Sequence, residues 1–166
     1  MKSSISIVAN NISHVPDLSK LILQVTDEEY QILQVNPENC SIINSSNTKI
    51  IVFVFEQWNE GAKLVFFKVK SLFPSIKSIC VFEKSDHENS EFNMFDLRSK
   101  AFYADKVNFN YQFMDAIINL VELTETEEKT IEIANELKAT RTKMKYYALT
   151  TLTILFVILI LNALIS

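Results

Sequence analysis

The chain has 166 residues and a formal net charge of −4, with one glycine and two cysteines. It carries no basic surface for nucleic acid outside one short cluster, and its single glycine, Gly61, excludes the glycine-rich loops that hold nucleotide phosphates. Cys40 and Cys80 lack CxxC spacing and the two histidines stand apart, so the sequence predicts neither a metal site nor a cofactor.

The first half of the chain alternates short apolar runs with segments of helical spacing, which is typical of a βαβ architecture. Residues 5–8 predict a strand, and Pro16 opens a helix. Residues 30–35 predict a second strand, and residues 40–43 a short helix or an irregular turn. Residues 49–55 are apolar at nearly every position, which predicts a central strand of a parallel sheet covered on both faces.

The second half continues the alternation. Residues 60–73 predict a helix that stops before a proline, and residues 76–82 a fourth strand. Residues 90–100 predict a polar helix, residues 102–109 a fifth strand, and a long helix begins at Tyr111. Five strands alternating with helices predict an α/β fold with a doubly wound, five-stranded parallel sheet.

The segment between this sheet domain and the C-terminus contains neither proline nor glycine from Tyr111 to Lys145. It is expected to form one helix, or two helices broken at residues 124–128. Its apolar residues recur at roughly heptad spacing, which is compatible with a self-associating stalk or with a solvated helical spacer. The apolar positions are Phe113, Ile117, Leu120, Ile131, Ala134 and Leu137, of which the last three are the predicted stalk contacts.

The last residues, from Tyr146 to Ile165, contain no charge and as a helix would measure about 30 Å, the thickness of a bilayer core. A transmembrane tail anchor is therefore expected. Its threonines can bond to their own helix, and simple anchoring is favoured over a hydrogen bond from Asn162 to a partner helix. The domain boundaries are predicted at 1–122 for the sheet domain, 123–145 for the stalk and 146–166 for the anchor. A basic cluster precedes the span, which places the sheet domain in the cytoplasm and the C-terminus across the membrane. The cluster consists of Lys138, Arg141, Lys143 and Lys145.

Two segments of the sheet domain resemble the receiver domain of bacterial response regulators. GAKLVFFKVKSLFPSIKSICVF, residues 61–82, resembles its third helix and fourth strand. YADKVNFNYQFMDAIINLVE, residues 103–122, resembles the stretch from its fifth strand into its last helix, including Ala104 and Asp105. The resemblance implies a receiver-like fold over about 120 residues. Flavodoxin-like domains unrelated to receivers have the same order of elements.

Receiver chemistry requires an acidic pair after the first strand, which holds Mg²⁺, and an aspartate after the third strand, which accepts the phosphoryl group. The resemblance places Asn10 and Asn11 at the acidic pair, and two amides cannot replace two carboxylates around a dication. It places Phe55 or Glu56 at the aspartate, and a glutamate would be a poor acceptor there.

Two further receiver positions also depart from the pattern. The hydroxyl position after the fourth strand falls on Phe82 or Glu83, and the lysine position after the fifth strand falls on Asn110, followed by Tyr111. All four departures together imply a pseudo-receiver without phosphoacceptor chemistry. The resulting candidate pocket consists of Asn10, Asn11, Glu56, Glu83 and Asn110.

The sequence thus predicts a non-enzymatic, membrane-anchored signalling or protein-binding module. Its expected partners are membrane lipid and either another protein or a second copy of the chain, and no nucleic acid. The alternative is an oligomerising, membrane-disrupting effector of a bacterial defence system. An enzyme is disfavoured because the expected edge of the sheet offers carboxylates and amides but no paired nucleophile and base.

Overall fold

Five strands form one parallel sheet in the computed structural model, which describes residues 3–9, 15–27, 29–43, 47–83 and 99–165. The strands are β1 (Ser4–Ala9), β2 (Gln31–Val35), β3 (Thr48–Phe55), β4 (Lys77–Phe82) and β5 (Ser99–Tyr103). Their order across the sheet is β2-β1-β3-β4-β5, and every neighbouring pair is parallel. The predicted five-stranded parallel α/β sheet is confirmed.

Three α-helices and one short 3-10 helix accompany the strands in the described part of the chain. They are α1 (Val15–Val25), the 3-10 helix (Pro37–Ile42), α2 (Glu60–Leu72) and α3 (Phe109–Ile165). The 3-10 helix lies where a short helix or turn was expected. Asn36 caps it, because its side-chain oxygen accepts a hydrogen bond of 3.0 Å from the backbone N–H of Glu38. Most of the helix predicted at 90–100 lies outside the described residues.

Strand β3 occupies the centre of the sheet, as its continuous apolar sequence predicts. Its side chains alternate between two cores, because successive residues of a strand point to opposite faces. Val52 and Val54 face α1 and the start of α3, whereas Phe53 and Phe55 face α2. The first core also contains Ile5, Ile7, Leu18, Ile22, Ile50, Ile79, Val81, Phe113 and Ile117. The second also contains Val8, Cys40, Ile43, Ile51, Trp58, Ala62, Phe66, Val69, Cys80 and Phe82.

The fifth strand differs from its prediction. It was expected at residues 102–109, but β5 pairs with β4 from Ser78 opposite Ser99 to Phe82 opposite Tyr103. Ser99 and Lys100, predicted to end a helix, therefore begin this strand. The expectation failed because β5 is an edge strand, whose polar residues can face water and whose position is decided by pairing with β4 rather than by an apolar run.

Helix α3 is continuous from Phe109 to Ile165, so the predicted possible break at residues 124–128 does not occur. Contacts divide the chain into two compact units, Met1–Thr124, called the sheet domain below, and Glu125–Ser166. Within the sheet domain, Phe113 and Ile117 are fully buried in the first core. These two residues of the predicted heptad pattern therefore stabilise the sheet domain and are not available as stalk contacts.

The two buried cysteines provide a test of the fold. Cys40 and Cys80 are both buried, and Cys40 donates its thiol hydrogen to the carbonyl of Pro37, with 2.9 Å between sulfur and oxygen. Burial raises the pKa of the Cys40 thiol above its ordinary 9.0, although the nearby charge of Lys68 partly opposes this. The thiolate is the reactive form, so we expect both cysteines in the native protein to react with a disulfide reagent at pH 8 at least about a hundredfold more slowly than in denaturant.

The measurement is the rate at which the cysteines react with the disulfide reagent, with and without guanidinium chloride. The raised pKa of Cys40 also means that its contribution to stability is complete below pH 9.0 and declines as the pH rises toward the folded pKa. Rapid labelling of either cysteine without denaturant would contradict the two-core arrangement.

Candidate functional site

The candidate site lies at the carboxyl-terminal edge of the sheet. Strand β3 ends at Phe55, β4 at Phe82 and β5 at Tyr103, and because the strands are parallel these ends share one edge. The pairing extends one residue past β4, where the backbone N–H of Glu83 donates to the carbonyl of Phe55 at 3.0 Å. This is the edge at which open α/β sheets bind their ligands.

A cleft of about 420 Å³ opens between the loop after β3 and the start of α2. Its polar lining comes from Glu56, Gln57, Asn59 and Glu83. Asn59 caps α2, because its side-chain oxygen accepts a hydrogen bond of 2.9 Å from the backbone N–H of Ala62. The cleft therefore contains two carboxylates and the N-terminus of α2, where the cap residue already accepts a hydrogen bond from one of the first backbone N–H groups.

A second, smaller cavity of about 160 Å³ lies between α1 and the start of α3. Its polar groups are Asp17, Glu83 and Asn110, and its apolar lining includes Val54 and Val81. Glu83 thus lines both cavities.

Three of the five predicted pocket residues lie at this edge. Glu56 and Glu83 line the larger cleft, and Glu83 and Asn110 line the smaller cavity. Asn10 and Asn11 lie outside the described residues. Their assignment as a degenerate receiver pocket stays a prediction.

The last residues of β3 and β4 are aromatic and belong to the core. Phe55 lies 5.8 Å from Phe53, 6.1 Å from Trp58 and 6.1 Å from Phe82, measured between ring centroids. Tyr103, the last residue of β5, extends this cluster, with its ring 5.7 Å from Phe82. The polar side chains that the residues directly after β3 and β4 offer to the clefts are therefore Glu56 and Glu83. The sequence signal for this cluster is the pair of alternating phenylalanines in KIIVFVF.

The displaced β5 changes the position assigned to the receiver lysine. Asn110 lies in the first turn of α3 rather than directly after the fifth strand. Ala104 follows β5, and its backbone N–H donates to the carbonyl of Phe82 at 2.8 Å. Ala104 lines the smaller cavity, and its methyl side chain carries no charge. Among the described residues, no group of three or more His, Cys, Asp or Glu side chains is arranged to hold a metal ion.

The C-terminal unit presents a different kind of surface. Ile131 is 61% exposed, and Ala134 and Leu137 are also exposed, as stalk contacts would be in a single copy. Helix α3 is the one helix of the described chain that is long and apolar enough to cross a membrane. In its uncharged part, the hydroxyls of Thr150, Thr151 and Thr153 donate to the carbonyls four residues earlier at 2.8, 2.9 and 2.9 Å. The expected self-satisfaction of these threonines is confirmed.

Solved structures with a similar fold include receiver domains. The signal receiver domain of a LuxO repressor protein from Vibrio parahaemolyticus superposes with a TM-score of 0.57 at 11% identity, over 78% of this chain and 98% of that one. The described residues of the sheet domain have a receiver-like fold. The fold class inferred from the resemblance is thereby confirmed.

Two further structures show how widely this fold is used. A pilus assembly protein from Burkholderia thailandensis matches with a TM-score of 0.53 at 8% identity, over 72% of this chain and 98% of that one. An adenylate cyclase from Rhodopirellula baltica matches with a TM-score of 0.52 at 9% identity, over 80% of this chain and 98% of that one. No protein-family model and no curated protein matches the sequence. Identities this low establish a shared fold and carry no information on activity.

Proposed function

We propose that the chain is a non-enzymatic, membrane-anchored signalling or protein-binding module whose receiver-like domain lacks phosphoacceptor chemistry. The observation that carries the proposal is the composition of the strand ends. The ends of β3 and β4 supply a phenylalanine or the glutamate after it where the family pattern needs an aspartate and a hydroxyl, and the phenylalanines, Phe55 and Phe82, pack into an aromatic core. The residue after β5 is Ala104, and the first lysine beyond it, Lys106, is exposed and lines neither cavity.

The membrane part of the proposal rests on helix α3. Its residues 146–165 would span the bilayer, and the preceding basic cluster would keep the sheet domain on the cytoplasmic side. Anchoring would raise the local concentration of the domain for a partner in the same membrane. A cysteine-accessibility assay on vesicles, with cysteines placed at Lys129 and at Ser166 on either side of the span, would report which end of the span faces which side.

The proposal predicts that the protein forms no stable phosphoryl adduct. We expect no Mg²⁺-dependent mass increase after incubation of the full-length protein with acetyl phosphate, and no spectral shift with beryllofluoride and Mg²⁺. Intact mass spectrometry and amide chemical shifts provide the measurements.

The matched control is Glu56→Asp, which restores an aspartate at the end of β3 but not the acidic pair or the lysine. It should be equally inert. An adduct on Glu56 of the unsubstituted protein would refute the pseudo-receiver assignment. An adduct that appears only in Glu56→Asp would show that the rest of the site is intact.

A membrane-disrupting effector is the second candidate, and the exposed Ile131 and Leu137 of the stalk favour it, because apolar stalk residues can drive assembly. Dye release from vesicles that contain the full-length protein separates the two. The binding module should leave vesicles sealed at every protein density, whereas an effector should release dye once its copies assemble.

A further inference from the structure

The outer face of α2 carries an apolar stripe that is left exposed by the described residues of the sheet domain. Leu64 is 69% exposed and Phe67 is 45% exposed. With Ser71 they recur at spacings of three and four residues, which places them in one row along the helix. The row forms the floor of an open groove, called the α2 groove below, lined by Glu60, Lys63, Leu64, Phe67, Lys68 and Ser71.

Lysines border this groove on both sides. At about 100° per residue, Lys63 and Lys68 lie on opposite sides of the row formed by Leu64 and Phe67. Helix α2 contains three lysines and one glutamate, although the whole chain has a net charge of −4. Among the lining residues, Lys63 pairs with Glu60 at 2.9 Å, so two positive charges and one negative charge border the groove. The α2 groove is therefore apolar along its centre and carries a net positive charge along its edges.

The stalk carries the complementary pattern. Between Glu125 and Leu137 the stalk has five glutamates and a single lysine. Ile131 and Leu137 are exposed there, and Glu128 and Glu132 lie one helical turn apart beside Ile131. An apolar row next to an acidic border matches an apolar groove with basic borders.

We propose that the α2 groove of one copy binds stalk residues 125–137 of a second copy in the same membrane. The inference rests on the proposed function, to which it adds a surface and a partner. Confinement to one membrane favours this contact, because every anchored copy brings both surfaces to the same bilayer.

Engineered cysteines test the contact in the full-length protein. One copy carries Ser71→Cys in the groove, and a second, differently tagged copy carries Thr130→Cys on the stalk. The native Cys40 and Cys80 are buried, so brief oxidation should report the engineered pair, and protein without engineered cysteines measures the background. In vesicles of phosphatidylcholine alone, which removes anionic lipid, we expect a disulfide between the two tagged copies.

Charge reversal then tests specificity. Lys63→Glu with Lys68→Glu in the groove copy should reduce the cross-linked fraction at least about fivefold, and Glu128→Lys with Glu132→Lys in the stalk copy should restore it. Leu64→Gln should also reduce it. The matched control is Leu72→Gln, which changes an equally apolar residue of α2, 55% exposed, outside the groove. It should leave cross-linking unchanged, as should Lys20→Glu on α1.

The outcomes separate the surface from the function. Rescue by the swapped charges supports the contact. A cross-link within a single copy, a cross-link that requires phosphatidylglycerol, or pairing of stalk cysteines only with each other overturns it. The pseudo-receiver and anchor assignments are measured by adduct formation and membrane insertion, so the α2 contact can fail while the proposed function stands.

Discussion

Val52→Asp should abolish cooperative folding of the sheet domain. Val52 lies in the middle of the central strand and is 0% exposed, with Ile7 of β1 and Ile79 of β4 opposite it. An aspartate there would be charged and desolvated among apolar side chains. The cost is about 4 kcal/mol or more, comparable with the whole stability of a domain, about 5–15 kcal/mol.

Trp58 provides the measurement. It is the only tryptophan and is buried beside Phe66, with the ring centroids 5.6 Å apart, so its fluorescence reports the sheet domain and not the membrane helix. The full-length protein in detergent should show a cooperative thermal transition that Val52→Asp removes. The matched control is Val107→Asp, the same change at a residue that is 101% exposed, which should leave the transition in place. A normal melt for Val52→Asp would contradict the central position of β3.

The same central strand explains why the sheet could be predicted from sequence. Strands β3 and β4 are covered on both faces, so burial requires an apolar residue at almost every position, and that requirement is visible in KIIVFVF and SICVF. Helix α2 is marked equally clearly, since Asn59 caps it and a proline follows its end. In these elements local preference and tertiary burial favour the same structure.

Strand β5 and the site residues derived from it show the opposite case. The residues that pair with β4 include Ser99 and Lys100, whose polarity gives no strand signal at a sheet edge. The apolar and aromatic residues after them suggested a strand at 102–109, which moved the lysine position to Asn110. Only the pairing with β4 identifies Ala104 as the residue that follows the strand.

Only part of the candidate pocket could be predicted from the sequence. The ends of parallel strands meet at one edge, so Glu56 and Glu83 could be placed together from the order of elements alone. The smaller cavity, which shares Glu83 with the larger cleft, depends on α1 and α3, which contribute Asp17 and Asn110. Packing of that kind involves residues distant in sequence and leaves no periodic pattern in either segment.

The heptad spacing of apolar residues between positions 113 and 137 has two different causes. Phe113 and Ile117 are fully buried in the sheet domain, and Leu120 packs against the same core, so the first part of the pattern reflects folding of the domain. Ile131, Ala134 and Leu137 are exposed in the second unit. Sequence spacing alone could not separate the two, because a helix face presents the same periodicity to its own domain and to a partner.

Ile131→Asp together with Leu137→Asp should therefore remove association of the anchored chains while leaving the sheet domain and membrane insertion intact. Both side chains are more than half exposed, so their replacement costs the single copy little stability. In a contact, each would bring an additional negative charge to a segment that already contains five glutamates, and would replace apolar area with a desolvated carboxylate. Loss of both contacts should lower cross-linking between copies at least about tenfold.

The comparison uses full-length protein in vesicles with Ser71→Cys in one copy and Thr130→Cys in the other. A parallel sample carries a reporter cysteine in every copy at Thr142, which is exposed and lies outside the substituted positions, to report pairing between stalks. The matched control is Asn135→Asp, which adds a negative charge to the same segment at an exposed polar residue and should change cross-linking little. Carbonate extraction and the Trp58 melt verify insertion and folding of each variant. Equal cross-linking in the native and doubly substituted proteins would show that the stalk is a solvated spacer, and any association would then belong to the sheet domain or to the membrane helix.

If the double substitution abolishes cross-linking and Leu64→Gln does so as well, the partner of the stalk is the α2 groove. If Leu64→Gln has no effect, the stalks pair with each other.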